Sequence, residues 1–88
     1  MTPKEALAQI QAYAQQGRVW LTEHARQRMI ERNIRMKDVH YAIAVAAVCE
    51  KQEEKKWKVT SQDLDGEDLI LVIVIEGMDV IVTLYEGA

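Results

Sequence analysis

The sequence has 88 residues, with 11 Lys and Arg against 14 Asp and Glu, so its formal net charge is −3. This length predicts one domain, residues 1–88, with a modest core. The charge excludes a generally basic protein that coats nucleic acid, and an apolar content of 49% favours a globular fold over a disordered chain. A site for a polyanion must therefore be local.

The charge is unevenly divided along the chain. Residues 1–40 hold 7 basic and 4 acidic side chains, whereas residues 41–88 hold 4 and 10. We interpret the single cysteine, Cys49, as a small buried apolar residue. The first residues show no signal-peptide pattern, and the longest apolar run, Leu69–Ile75, is too short to cross a bilayer. We expect a soluble, cytoplasmic protein without a membrane partner.

The first half of the chain predicts helices around one short strand. Thr2 and Thr22 are suited to cap helix N-termini, whereas Arg35 is a poor capping residue. The predicted elements are a helix from Pro3 that ends at Gly17, a strand of about four residues in 18–22, a helix from Thr22 to about Arg32 or Asn33, and a helix over roughly Met36–Ala47.

The second half predicts strands and turns. The expected strands are VCEKQ (48–52), KKWKVTSQ (55–62), LILVIVI (69–75) and VIVTLYE (80–86). The order αβααββββ predicts an α+β domain, with two or three helices packed on an antiparallel sheet of four to five strands. Because Leu69–Ile75 is apolar at every position, both of its faces should be covered, which favours a homodimer through the sheet or a protein partner.

A ridge of polar side chains is predicted on the second helix. His24, Arg28 and Arg32 follow at steps of four residues, beside an apolar seam of Ala25 and Met29. Because that seam must face the sheet, the two guanidinium groups should lie where helix meets sheet, and there an anion binds more strongly than in bulk water. His24 adds a group that exchanges protons near neutral pH.

This combination has two interpretations. One proton-transfer group and two fixed cations are what cleavage of a phosphodiester without a metal requires. Alternatively, Glu31 pairs with Arg28 or Arg35, and the arginine stems only cover apolar surface. The spacing by itself leaves both open.

The chain resembles a bacterial and archaeal family of small domains of unknown function. The resemblance covers about Val19 to Tyr85, and the family is usually grouped with the RelE, BrnT and MqsR superfamily of plasmid toxins. It is carried by His24-Ala25-x-x-Arg28-Met29-x-x-Arg32-x-Ile34, by Asp38-Val39, by Thr22 before the histidine, and by a last strand with Thr83 and Tyr85.

The resemblance implies a RelE/BrnT toxin-like fold, metal-independent cleavage of RNA, and control by a cognate antitoxin protein. His24 would transfer the proton, and Arg28 and Arg32 would hold the scissile phosphate. Thr83 and Tyr85 would contact the phosphate or the sugar. Residues two apart in a strand share a face, so this pair is expected to converge with the helix ridge.

Other candidate residues are interpreted as structural. His40 is expected at the edge of the core, and Trp20 and Trp57 against the sheet. We expect no metal and no cofactor, because His24, His40 and Cys49 lack the spacing of metal ligands and the four glycines are isolated.

Three hypotheses follow from the sequence. The first is a toxin-like ribonuclease of a toxin–antitoxin system, acting on RNA through His24, Arg28, Arg32, Thr83 and Tyr85. The second is a non-catalytic protein-interaction module of the same fold. The third is a domain that binds a small anion or a nucleotide.

Overall fold

The computed structural model describes residues 1–85 and confirms the predicted α+β fold, with three helices packed on a five-stranded sheet. The elements follow the predicted order. They are α1 (Pro3–Gln15), β1 (Val19–Leu21), α2 (Glu23–Arg32), α3 (Met36–Val45), β2 (Val48–Glu53), β3 (Lys56–Gln62), β4 (Asp68–Glu76) and β5 (Asp79–Leu84).

The first two helices begin and end where the sequence predicts. Thr2 and Glu5 form a capping box at the start of α1, and Gly17, with φ of +77°, follows its last turn. The Thr22 hydroxyl accepts a hydrogen bond from the Ala25 N–H at 3.1 Å, and α2 ends at Asn33 in a left-handed conformation.

Helix α3 differs from the prediction at its C-terminus. It ends at Val45, two residues before the expected end, because Ala46 is extended. The Gln11 side chain of α1 takes up the carbonyl groups left there, donating to Ile43 O at 3.1 Å and to Ala46 O at 3.2 Å. A side chain distant in sequence therefore satisfies the end of α3.

The sheet is mixed, with the strand order β1-β5-β4-β3-β2. Strands β2 to β5 pair antiparallel as predicted, since hairpins join them in sequence. Strand β1 pairs parallel to β5, with Val19 opposite Val80. The two helices after β1 carry the chain away from that edge, so no hairpin constrains the direction in which β1 meets β5.

All three helices share one core with a single face of the sheet, here called the inner face. Its fully buried members include Val59, Leu71, Ile73, Val80 and Val82. The helices contribute Ala6 and Ile10 from α1, Met29 from α2, and Val39 and Ile43 from α3. None of these helices is long and apolar enough, within residues 1–85, to cross a membrane.

The opposite side of the sheet, here called the open face, carries no helix within residues 1–85. Strand alternation places there Trp20, Lys56, Lys58, Thr60, Ile70, Val72, Val74, Ile81 and Thr83. On β4 the inner-face residues Leu69, Leu71 and Ile73 are fully buried, whereas Ile70 and Val74 are half-buried. Neighbouring side chains cover only part of the second apolar face of β4.

Candidate functional site

The polar ridge of α2 forms as the helical spacing predicts. The seam beside it is buried, with Ala25 at 0% and Met29 at 7% exposure. His24 and Arg32 are exposed and Arg28 is half-buried. Met29 reaches the inner-face core and α2 packs over β5, so the ridge runs along the rim of the helix layer. It faces solvent along most of its length.

One ion pair expected within this ridge is present. The Arg28 Nη1 donates to Glu31 Oε1 at 3.2 Å, with both side chains between two-fifths and one-half exposed. Arg35 instead lies 4.0 Å from the Asp38 carboxylate. An exposed pair of this kind adds little stability.

Thr83 lies on the open face, on the side of the sheet opposite to the helices. Its neighbours Val82 and Leu84 point into the inner-face core, and Thr83 is paired with Val72 of β4. Strand alternation therefore places Thr83 and the α2 ridge on opposite sides of the sheet, and not on one side as predicted.

Tyr85 lies just beyond the last strand, which ends at Leu84 rather than at the predicted Glu86, a residue outside the described part of the chain. The Tyr85 N–H still donates to Ile70 O at 3.0 Å, so its backbone continues the ladder. The Lys58 Nζ lies 4.2 Å from the centre of the Tyr85 ring, a cation–π contact on the open face.

Lys58 is the site residue that sequence reasoning missed, since it stands in a mixed-charge stretch that reads as a solvated surface. Across the sheet, Lys58 has Glu50 on one side and Val72 on the other, and Thr83 follows in the same row. Two strand spacings, about 9.5 Å, separate the Lys58 and Thr83 backbones. An ammonium, a hydroxyl and an aromatic ring thus share one patch.

The candidate site therefore has two parts around β5. One is the α2 ridge of His24, Arg28 and Arg32, and the other is an open-face patch of Lys58, Thr83 and Tyr85. The first places an imidazole near two guanidinium groups, and the second offers a ring for stacking next to a cation. Residues 1–85 contain no group of three His, Cys, Asp or Glu arranged to hold a metal ion.

The residues that the sequence suggested to be structural meet that expectation only in part. Trp57 is buried at 2% exposure, as expected, but Trp20 is 58% exposed and donates from Nε1 to Asp79 Oδ1 at 3.0 Å. The expectation for Trp20 was wrong, because β1 places it on the open face. His40 is half-buried beside α1. Cys49 is partly buried, and this burial, together with the nearby charge of Glu50, raises the pKa of its thiol.

Comparison with known proteins shows the family. The chain belongs to the family described as a domain of unknown function, DUF4258, whose sequence pattern matches residues 21–86. The match contains both parts of the candidate site and leaves out α1. No match was found among curated proteins or among solved structures.

Proposed function

We propose that this DUF4258 domain is a metal-independent ribonuclease, related to the RelE and BrnT toxins and controlled by a cognate antitoxin. The observation that carries the proposal is the packing of α2 on β5, the strand that also bears Thr83 and leads into Tyr85. Strand β5 therefore lies between the two parts of the candidate site. The α2 ridge supplies a histidine and two arginines, and the open-face patch supplies an aromatic ring and a lysine.

In this proposal the α2 ridge holds the scissile phosphate. His24 takes the proton from the ribose 2′-hydroxyl, whose oxygen attacks phosphorus, and the bond to the 5′-oxygen breaks with proton return to that oxygen. Arg28 and Arg32 stabilise the extra negative charge on the pentacoordinate phosphorus. Each side chain of the ridge lies about 6 Å along the helix axis from the next, so two neighbouring members can contact the same phosphate group.

The open-face patch binds a neighbouring nucleotide. A base stacks beside Tyr85, while Lys58 and the Thr83 hydroxyl contact a phosphate or a sugar. Since the two parts lie on opposite sides of β5, the RNA passes around the end of β5 to reach both. This route needs single-stranded RNA, because a duplex is too stiff and wide for such a turn.

Expression of the wild type beside His24→Ala tests this function. The wild type should arrest growth and cleave RNA in the presence of a chelator, and His24→Ala should lower the cleavage rate by about 10²–10⁴-fold. His40→Ala is the matched control, because His40 lies in the groove between α1 and α3. Equal activity of wild type and a folded His24→Ala protein rejects the catalytic role.

A second function is favoured by the apolar side chains that β4 presents on the open face. Ile70 and Val74 are half-buried on either side of the buried Val72, and they give the middle of this face an apolar surface of the kind that protein-interaction modules use. An interaction module is indifferent to His24→Ala and loses its partner when Val74→Asp places a charge on this face. The third hypothesis, a small-anion or nucleotide binder, predicts phosphate binding at the ridge with no cleavage.

A further inference from the structure

Strand β1 is an open edge with unpaired backbone groups. The Thr22 N–H donates to Val82 O, and the Arg18 carbonyl accepts from the Val80 N–H, both at 3.0 Å. These bonds point residues 18, 20 and 22 towards β5, so the N–H and C=O groups of Val19 and Leu21 point away from the sheet. Within residues 1–85 no hydrogen bond takes up those four groups.

Apart from its short length of three residues, this edge lacks the features that usually prevent pairing with another strand. The opposite edge, β2, is charged at Glu50, Lys51 and Glu53, and its register shifts between Lys51 and Glu53. Strand β1 has the sequence Val-Trp-Leu, without a charge, a proline or a bulge. Its middle residue, Trp20, is 58% exposed, and Ile30, on the neighbouring outer side of α2, is 82% exposed.

We propose that two copies of this chain pair antiparallel through β1 and extend the five-stranded sheet into one of ten strands. Only outward-pointing residues can exchange hydrogen bonds, so Val19 and Leu21 must lie opposite odd-numbered residues of the second copy, and the register that pairs the most outward groups is favoured. A twofold axis at Trp20 places Val19 of each copy opposite Leu21 of the other and satisfies all eight outward groups with four hydrogen bonds. The two Trp20 side chains then meet at a non-hydrogen-bonded site, where cross-strand pairs are closest.

The charges at the two ends of β1 fit this arrangement. Arg18, whose guanidinium also lies 3.3 Å from the Asp79 carboxylate, precedes the strand, and Glu23 follows it. Antiparallel pairing brings Arg18 of one copy opposite Thr22 of the second copy, next to its Glu23, and the twofold axis repeats the contact. A groove beside Leu21, lined by Glu23, Arg26 and Ile30, gives the second copy further apolar and charged surface. This segment is therefore complementary to itself, independently of any activity on RNA.

Sedimentation equilibrium of the full chain tests the pairing. The wild type should be a dimer, and Trp20→Arg should raise its dissociation constant about 30-fold or more, since an aromatic anchor is lost and two like charges meet. Val48→Arg is the matched control, because Val48 is similarly exposed (49%) on the opposite edge strand. It should leave the dimer intact, and both variants should keep the wild-type circular dichroism spectrum.

Hydrogen exchange of the wild type gives a second test that needs no variant. The amide protons of Val19 and Leu21 should be protected at concentrations where the dimer forms and should exchange faster on dilution. A wild type that stays monomeric at its solubility limit overturns the proposal. A dimer with unprotected Val19 and Leu21 amides, or one that Trp20→Arg leaves as tight, overturns it too.

Discussion

Asp38 shows how one buried carboxylate replaces a missing helix cap. The Arg35 side chain, at the N-cap position of α3, has no acceptor for the backbone N–H groups of the first turn. The Asp38 carboxylate instead accepts from the Arg35 N–H at 3.0 Å. Its second oxygen accepts from the Leu64 N–H at 3.1 Å, in the turn between β3 and β4. These two backbone hydrogen bonds hold the pKa of Asp38 below its ordinary value, and the bond from the Arg35 N–H has the larger effect.

The sign of this shift sets a pH dependence. Because the folded-state pKa of Asp38 is lowered, its stabilisation is complete above the unfolded pKa, about 3.9, and is lost as the pH falls through the folded-state pKa. Asp38→Ala should lower the thermal unfolding temperature by several degrees at neutral pH and by less in acid. Thermal unfolding over a pH series measures this. The exposed Asp65, in the same turn, is the control, and an effect of Asp38→Ala that does not change with pH contradicts the prediction.

Lys58 carries a prediction that depends on the proposed function. Lys58→Met keeps an apolar stem over the Tyr85 ring but removes the charge, so the slope of log affinity for single-stranded RNA against log salt should fall by about 1. Lys56→Met is the matched control, because Lys56 lies two residues away on the same face with Glu53 at 4.0 Å. Equal changes in slope for both variants remove Lys58 from the binding patch.

The two parts of the candidate site differ in how far a sequence can predict them. The α2 ridge follows from the helical repeat, because residues four apart must lie together on one helix. The contact of Lys58 with Tyr85 depends on the registers of β3 with β4 and of β4 with β5. No local pattern encodes those registers, and so the patch and its position on the open face could not be anticipated.

At the scale of elements, the junction of α1 with α3 depends on Gln11. Gln11→Ala removes the donor to the part-buried carbonyl groups of Ile43 and Ala46. Ile43 O keeps the Ala46 N–H at 3.3 Å, so the loss falls mainly on Ala46 O. We expect the free energy of unfolding to fall by about 1–2 kcal/mol, measured by urea denaturation. Gln15→Ala, an exposed change in the same helix, should stay within about 0.5 kcal/mol of wild type. Similar losses of unfolding free energy in Gln11→Ala and Gln15→Ala would show that helix propensity, and not the contact of Gln11 with α3, causes the destabilisation.

The ends of elements were predictable only where the signal is local. Thr2, Thr22 and Gly17 act on their own helices, and the structure confirms those boundaries. The early end of α3 was not predictable, because Gln11 lies 32 residues from Ile43 in sequence. The same holds for the parallel direction of β1, which no turn residue specifies.

At the scale of the whole molecule, the sheet is strongly asymmetric between its faces. Leu71→Ala, which empties part of the inner-face core, should cost about 2–5 kcal/mol of unfolding free energy. Val74→Ala, on the open face of the same strand, should cost less than about 1.5 kcal/mol, since this side chain is only half-buried. Urea denaturation of both variants at low protein concentration measures the two losses of unfolding free energy. A Val74→Ala cost as large as that of Leu71→Ala would mean that another layer covers the open face in solution.

The sequence correctly predicted the α+β class and the order of the elements, because alternation and helical periodicity recur throughout the chain. It also predicted that both faces of β4 would be covered, whereas within residues 1–85 the helices cover only one face and leave Ile70 and Val74 half-buried on the other. The sequence did not show which face the helices would take. That choice depends on α1, α2 and α3 packing together over Met29, Val39 and Ile10. The identity of any partner on the open face stays a proposal.

The parallel pairing of β1 with β5 has a consequence for synthesis on the ribosome. The Arg18 side chain donates to the Met78 carbonyl 60 positions later, so β1 has no neighbour until the last hairpin has been translated. The nascent chain therefore holds its Val-Trp-Leu segment without this neighbouring strand while the 60 positions from Arg18 to Met78 are translated. Maturation of the native state should be late and comparatively slow, because distant contacts of this kind raise the entropic barrier.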